Sequence, residues 1–372
     1  MTPAPGCFCD YNAGAPPLDD VLERFLAIER SHPANPASAH GPGRAARAVL
    51  EDARATIAKA LGLAAEDVLF TSGGTEAANL AVLGLGAPDR PVLLADLEHP
   101  AVAEAAALRG TIAMPVDARG FAVPTDPGRP VGLVAMVHAQ SELGTLQPVA
   151  AAAALAQHLG VPCFVDAAQT LGRVSLAPLV ATATVFALSP HKCGGLRGFG
   201  VLAGADLATR LRPLLRGGGQ ELGLRPGTQS PALAAANALA IVRAVREQAA
   251  RAAAMAANRG AFLQGLRASE VVHDVLTPLD TSVPNTVMVH FAGIEGRSLL
   301  PTLDLEGIHA SHGSACSSGA PTPPRVLLAM GRDERAARAC VRFSFGWRDQ
   351  QQELVATALR AGARIRARQQ KI

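Results

Sequence analysis

The chain has 372 residues, 49% of them hydrophobic and only 3% aromatic, with a formal net charge of +3. That length suggests roughly two domains, with alanine, leucine and valine doing most of the packing. No lysine/arginine run interleaves with aromatic residues and no stretch reaches about 18 uninterrupted apolar residues, so neither direct nucleic-acid binding nor a membrane span is expected.

Cys7, Cys9, Cys163, Cys193, Cys316 and Cys340 are too scattered for a disulfide framework, and Cys7-Phe8-Cys9 is too tight for a CxxC zinc knuckle. The opening MTPAPGCFCD lacks a leader pattern. The expected compartment is a reducing cytoplasm.

Helical spacing over 18–30 comes with Asp19 and Asp20 in its first turn, and a second helix over 43–61 stops at Gly62. VLF at 68–70 reads as a buried strand that runs into TSGGTEAANLAVLGL, a turn and a helix. VLLA at 92–95 is followed by a helix from about 99. TIAMPV (111–116), GLVAMVHA (132–139), CFVDA (163–167), TVFALS (184–189) and VLAG (201–204) are further short apolar strands, and the alanine-rich run near 149–156 reads as a core-facing helix. This βαβ rhythm argues for an α/β fold with a largely parallel sheet covered by helices. A glycine-rich loop spans 216–228, a long alanine-rich helical zone runs from 231 to about 267, and a smaller α+β unit follows. The expected division is a large domain over 15–250 and a small one over 251–372, with residues 1–14 packed on the small one.

Ligands in such sheets sit beyond the carboxyl ends of the strands. Thr71-Ser72-Gly73-Gly74-Thr75-Glu76 follows a strand and opens a helix, a place where backbone N–H groups hold anions. His99 follows the next strand, Asp166 ends CFVDA with Gln169 three residues on, and Ser189-Pro190-His191-Lys192 ends TVFALS. Alone, each is more often a cap, a turn or a surface residue. Together they match the needs of pyridoxal phosphate: a Schiff-base lysine, an acid for the ring nitrogen, a phosphate cradle and a flat group over the ring.

At this point the chain resembles the pyridoxal-phosphate-dependent class V aminotransferases, and among them the cysteine desulfurases. DYNA, NPASAHGPG, FTSGGTEAANL, EHPAV, VHAQSELG, VDAAQTLG, SPHKCGG, GGGQELGLRPGT, PNT, HGSACSSG and VRFSFG carry the likeness in order over nearly the whole chain. The resemblance implies fold type I of the pyridoxal-phosphate transferases, with a mostly parallel seven-stranded sheet and a smaller α+β domain. It implies that Lys192 forms the Schiff base, Asp166 pairs with the ring nitrogen, Gln169 contacts the ring hydroxyl and His99 stacks on the ring. Gly74, Thr75, Ser189 and His191 would hold the phosphate. Thr228 would reach the phosphate of the partner in a homodimer. Arg342, helped by Asn12, would bind the substrate carboxylate.

Cys316 sits in a loop of small residues, HGSACSSG, with prolines after it. The resemblance implies that its thiolate takes sulfur from L-cysteine, giving a Cys316 persulfide and L-alanine, for delivery to iron–sulfur assembly or tRNA thiolation. His99 is the expected base, with His312 as a second possibility. Gln140 and Ser141 stand where the family usually has two Asn; the second of these normally contacts cofactor and substrate, which puts Ser141 in the cofactor site. Gly14 and Ala15 replace a usual Thr pair. The alternatives are an aminotransferase on another amino acid, a selenocysteine lyase, or a catalytically degenerate assembly subunit; Cys316 speaks against a plain aminotransferase.

Overall fold

A computed structural model of the chain describes residues 6–182, 184–294, 296–313, 323–348 and 350–370. The described strands, in chain order, are β1 (Cys7–Phe8), β2 (Val68–Thr71), β3 (Val92–Ala95), β4 (Thr111–Met114), β5 (Leu133–Val137), β6 (Cys163–Asp166), β7 (Val185–Leu188), β8 (Gly200–Ala203), β9 (Asp274–Val275), β10 (Thr286–His290), β11 (Ile308–His309) and β12 (Cys340–Ser344).

Seven of them form one sheet in the order β2-β8-β7-β6-β5-β3-β4. Neighbours are parallel except around β8, which runs antiparallel to both β2 and β7. The inner strands are buried at every position, as expected of a sheet covered on both faces. The edge strand β4 instead alternates, with Ile112 and Met114 inward and Thr111 and Ala113 exposed. Phe186 and Met136 pack into the core on one face, Phe164 and Ala135 into that on the other.

The alanine-rich zone is two helices, Pro231–Arg246 and Gln248–Ala268, broken at Glu247. The first packs on Asp19–Ser31 and Gly41–Leu61, the second on Gln351–Gln369. A separate core joins the second helix to the antiparallel sheet β12-β10-β9, with Phe262, Phe343 and Phe345 at its centre. Cys7 and Cys9 belong to this core, because β1 pairs in parallel with β11. The chain then crosses from β1 toward the large sheet through Asp10, Tyr11 and Asn12, stitched to β12 by Tyr11 N–H to the Ser344 carbonyl at 3.2 Å. Among the described residues, no helix is long and apolar enough to cross a membrane.

Candidate active site

The carboxyl ends of β2, β3, β5, β6 and β7 meet at one edge of the large sheet. They wall a cavity of about 180 Å³ lined by Lys192, Asp166 and His99, by Gly74 and Thr75, and by Arg342. Asn12, Ser141, Gln169, Ser189 and His191 complete the set of sequence-predicted residues that reach it. A larger cavity, about 500 Å³, opens beside Arg54 and Glu221. It gathers an ion pair but no amine, acid and anion cradle together, so the chemistry points to the smaller one.

Lys192 closes a short turn, Pro190–Lys192, directly after β7, with its N–H on the Ser189 carbonyl at 3.0 Å. The chain leaves it through Gly194 at φ +98°, a conformation open mainly to glycine. Asp166 is the buried last residue of β6, and its Oδ1 accepts the Ala168 N–H at 2.9 Å. Gln169 donates from Nε2 to the Asn12 carbonyl at 2.9 Å, and its Oε1 accepts from Arg173. Arg173 is buried on carbonyl partners, the Gln169 oxygen at 3.0 Å and the Tyr11 oxygen at 3.1 Å. Burial pushes its pKa down to about 9.

His99 caps the helix Pro100–Ala107, its Nδ1 accepting the Ala101 N–H at 3.1 Å. The neutral ring therefore carries its proton on Nε2. Burial lowers its pKa, Asp166 opposes this and Lys192 adds to it. His191 is pushed down to about 4 by burial and by the nearby charges of Lys192, Arg197 and Arg173. Glu98, quoted in the sequence only as His99's neighbour, is fully enclosed: Oε1 accepts the Val137 N–H at 2.7 Å and Oε2 has no partner among the described residues. Burial first, and the charge of Asp166 last, raise its pKa to about 8 against the pull of the Val137 hydrogen bond.

The helix Gly74–Gly84 starts with no side-chain cap, and a Cβ on Gly74 would overlap Ser189 Oγ. Glu76 in its first turn is paired with Arg225 of the glycine-rich loop at 2.8 Å, which balances its charge next to the helix start.

Arg342 lies in mid-β12 and is 2% exposed. Nη2 donates to Asp10 Oδ1 at 2.6 Å and Nη1 to the Ser141 carbonyl at 2.9 Å, while Nε has no partner among the described residues. Asn12 donates from Nδ2 to the same Ser141 carbonyl at 3.0 Å and to Thr286 Oγ1 at 2.9 Å. The contribution of position 141 to this network is thus a backbone oxygen, which any residue supplies. Gln140 turns away: its Oε1 accepts the N–H groups of Glu142 and Leu143 at 2.7 and 2.6 Å.

Thr228 is exposed and lines a different cavity, with Thr71 and Arg225. Cys316 lies outside the described residues. His312 is buried, with Nδ1 on the Cys340 carbonyl at 2.6 Å, and is not on the cavity wall. Sequence reasoning passed over Asp10 and Arg173. Asp10 could have been noticed as an acid directly after an apolar strand, and Arg173 as a cation four residues beyond Gln169, one helical turn away.

A model of the class-V aminotransferase family matches residues 7–356. Cysteine desulfurase IscS of Dictyoglomus turgidum is 32% identical over 354 residues, covering 91% of this chain and 89% of that protein. Cysteine desulfurase NifS of Azotobacter vinelandii is 34% identical over 354 residues, covering 91% and 87%. A solved NifS-like protein superposes with a TM-score of 0.86 at 30% identity, covering 99% of this chain and 100% of that one. The architecture is that of fold type I of the pyridoxal-phosphate transferases. By sequence and by fold, the chain belongs to the class-V aminotransferase family, whose members generally depend on pyridoxal phosphate.

Proposed function

We propose that this chain is a pyridoxal-phosphate-dependent cysteine desulfurase that converts L-cysteine to L-alanine and holds the sulfur as a persulfide on Cys316. The observation that carries the reading is the convergence on one cavity of Lys192, Asp166, His99, the uncapped start at Gly74 and a buried Arg342 with an unsatisfied Nε.

These residues fit the cofactor. The helix start comes so close to Ser189 Oγ that position 74 has no room for a Cβ, and the two would hold the phosphate between them. Thr75, Ser189 and His191 add donors there; with a pKa near 4, His191 offers an N–H and not a charge. Bound pyridoxal phosphate supplies an electron sink for negative charge at the substrate's α carbon. Asp166 would hold a proton at the ring nitrogen, Gln169 would meet the ring hydroxyl, and the flat His99 would cover the ring and exclude water. Lys192 Nζ would hold the cofactor covalently and, once released, would move the proton of the substrate's α carbon. Arg342 would hold the substrate carboxylate, with Asn12 beside it on the cavity wall.

Gly313 and Val326, on either side of the segment that carries Cys316, both come to Glu142: a Cβ on Gly313 would lie 2.9 Å from Oε1, and the Val326 N–H is 3.5 Å from Oε2. Glu142 follows Ser141 of the cavity wall, so both flanks of that segment meet the residue next to the wall. In the sulfur step the carbon–sulfur bond of L-cysteine breaks and a sulfur–sulfur bond to Cys316 forms. Thiol plus L-cysteine gives persulfide plus L-alanine, with no outside oxidant or reductant. His99 offers a hydrogen bond from its Nε2–H, and to act as a base it takes a proton on Nδ1 by giving up its cap on Ala101.

The reading extends to a homodimer in which Thr228 completes the partner's phosphate site. Its exposure, with that of Leu222 on the same loop and Leu215 just before it, supports this. It also extends to a reducing cytoplasm, to a protein acceptor for the sulfur in iron–sulfur assembly or tRNA thiolation, and to the domain division at 15–250 and 251–372. The test is an amino-acid screen on the holoenzyme. Alanine formed from L-cysteine with equimolar sulfur is the expected result. Turnover of another amino acid with none from cysteine would assign an aminotransferase or a selenocysteine lyase instead.

A further inference from the structure

We infer that Asp10 is a positioning residue for substrate recognition: its carboxylate holds the Arg342 guanidinium at the wall of the cavity, where it meets the carboxylate of an α-amino acid. This rests on the proposed reading of the cavity as an amino-acid site.

A guanidinium has five N–H donors in a rigid fork. In Arg342 one goes to Asp10 and one to the Ser141 carbonyl, from the two terminal nitrogens. Those two acceptors fix the plane of the fork. The fork is 2% exposed, yet Nε has no partner among the described residues. Each terminal nitrogen keeps a second N–H beyond these two bonds, and Arg342 lines the cavity, so the fork is placed to take a ligand carboxylate there.

Asp10 is suited to the task because its own backbone is pinned. The Ser344 N–H holds the Cys9 carbonyl at 2.8 Å, and the Tyr11 N–H holds the Ser344 carbonyl at 3.2 Å. Arg342 is pinned too, exchanging N–H and carbonyl with Ser311 at 2.7 and 3.1 Å and pairing across to Met288. Both partners therefore reach each other from fixed backbones, and the ordering of a long side chain is complete before substrate arrives. Asp10 does not line the cavity, so it acts through Arg342. Burial raises the Asp10 pKa, and the charges of Arg342 and Lys192 pull it back.

The test uses holoenzyme of the wild type and of Asp10→Ala, Asp10→Ser and Asp10→Asn. Each is titrated with L-alanine and with ethylamine, the same amine without the carboxylate, and the cofactor absorbance is followed. Asp10→Ala should raise the half-saturating alanine concentration about tenfold or more, the scale of one hydrogen bond to a charged group. It should move ethylamine by less than about twofold. Asp10→Asn, which keeps an acceptor oxygen, should recover most of the loss.

Unchanged alanine binding in Asp10→Ala overturns the proposal. So does an equal loss for both ligands, which would mark a general collapse of the site. Asp10→Ser covers the case in which the alanine variant does not fold; if neither holds the cofactor, Asp10 serves the fold and the proposal falls. The titration involves no sulfur chemistry. A wild type that prefers alanine over ethylamine but takes no sulfur from cysteine would sink the desulfurase reading and leave this one standing.

Discussion

Gly74 and Ser189 touch so closely that a Cβ on the first would overlap the hydroxyl of the second. The contact joins the start of a helix after β2 to the end of β7, two strands separated in the sheet only by β8. Gly74→Ala must displace the Ser189 hydroxyl from its place beside the helix start or tilt the helix. Overpacking of this kind costs about 1–3 kcal/mol, about five- to 150-fold where it falls on affinity. Dialysis against graded pyridoxal phosphate should show that loss; retention equal to the wild type would remove the cradle assignment.

Glu221 is the anchor of the glycine-rich loop. It takes both terminal nitrogens of Arg54 at 2.8 Å and the Phe70 N–H at 2.8 Å, from a side chain that is almost fully enclosed. Glu221→Ala takes the bidentate partner from the buried Arg54, which keeps Glu51 and the Val68 carbonyl, and leaves the Phe70 N–H without its acceptor. Removing one partner of such a pair destabilises by about 3–5 kcal/mol. Urea unfolding should show it, and a loss below about 1 kcal/mol would contradict the account.

Glu98 sets a pH dependence of stability. Its pKa is raised to about 8 in the folded chain from an unfolded value of 4.5. Between those values the folded state binds the extra proton, so stability is fullest below about 4.5 and falls as the pH rises toward about 8. Glu98→Gln keeps an oxygen for the Val137 N–H and removes the titration. The melting temperature of the variant should fall less than that of the wild type between pH 5 and 8. Parallel curves would show that Glu98 is ionised in the folded protein.

Lys192→Ala should lose the Schiff-base absorbance band of the holoenzyme. Cys316→Ala should keep that band and yet release no sulfide from L-cysteine in the presence of thiol. An intact band in the first variant, or full sulfide release by the second, would break the respective assignment.

Much of the site was legible in the sequence because its residues fall where strands end. Lys192, Asp166 and His99 each follow a short apolar run, and the edge of a parallel sheet collects such positions. The strands themselves were visible for the same reason, since full burial makes them continuous apolar runs. The direction of β8 was not, because VLAG carries no mark of its orientation. The break at Glu247 was hidden by alanine on both sides; Glu247 instead binds Arg243, Arg246 and Arg251 there. Asp10 was passed over because its partner stands 332 residues away. Ser141 drew attention for its side chain, while the structure uses its carbonyl, an atom that sequence does not vary.

The most direct measurement is peptide mass spectrometry of the Cys316 segment after the holoenzyme has met L-cysteine without reductant, with alanine measured in the same sample. One added sulfur on Cys316 and an equal amount of L-alanine is the predicted result. Bound cofactor with no added sulfur on Cys316 would contradict the desulfurase reading.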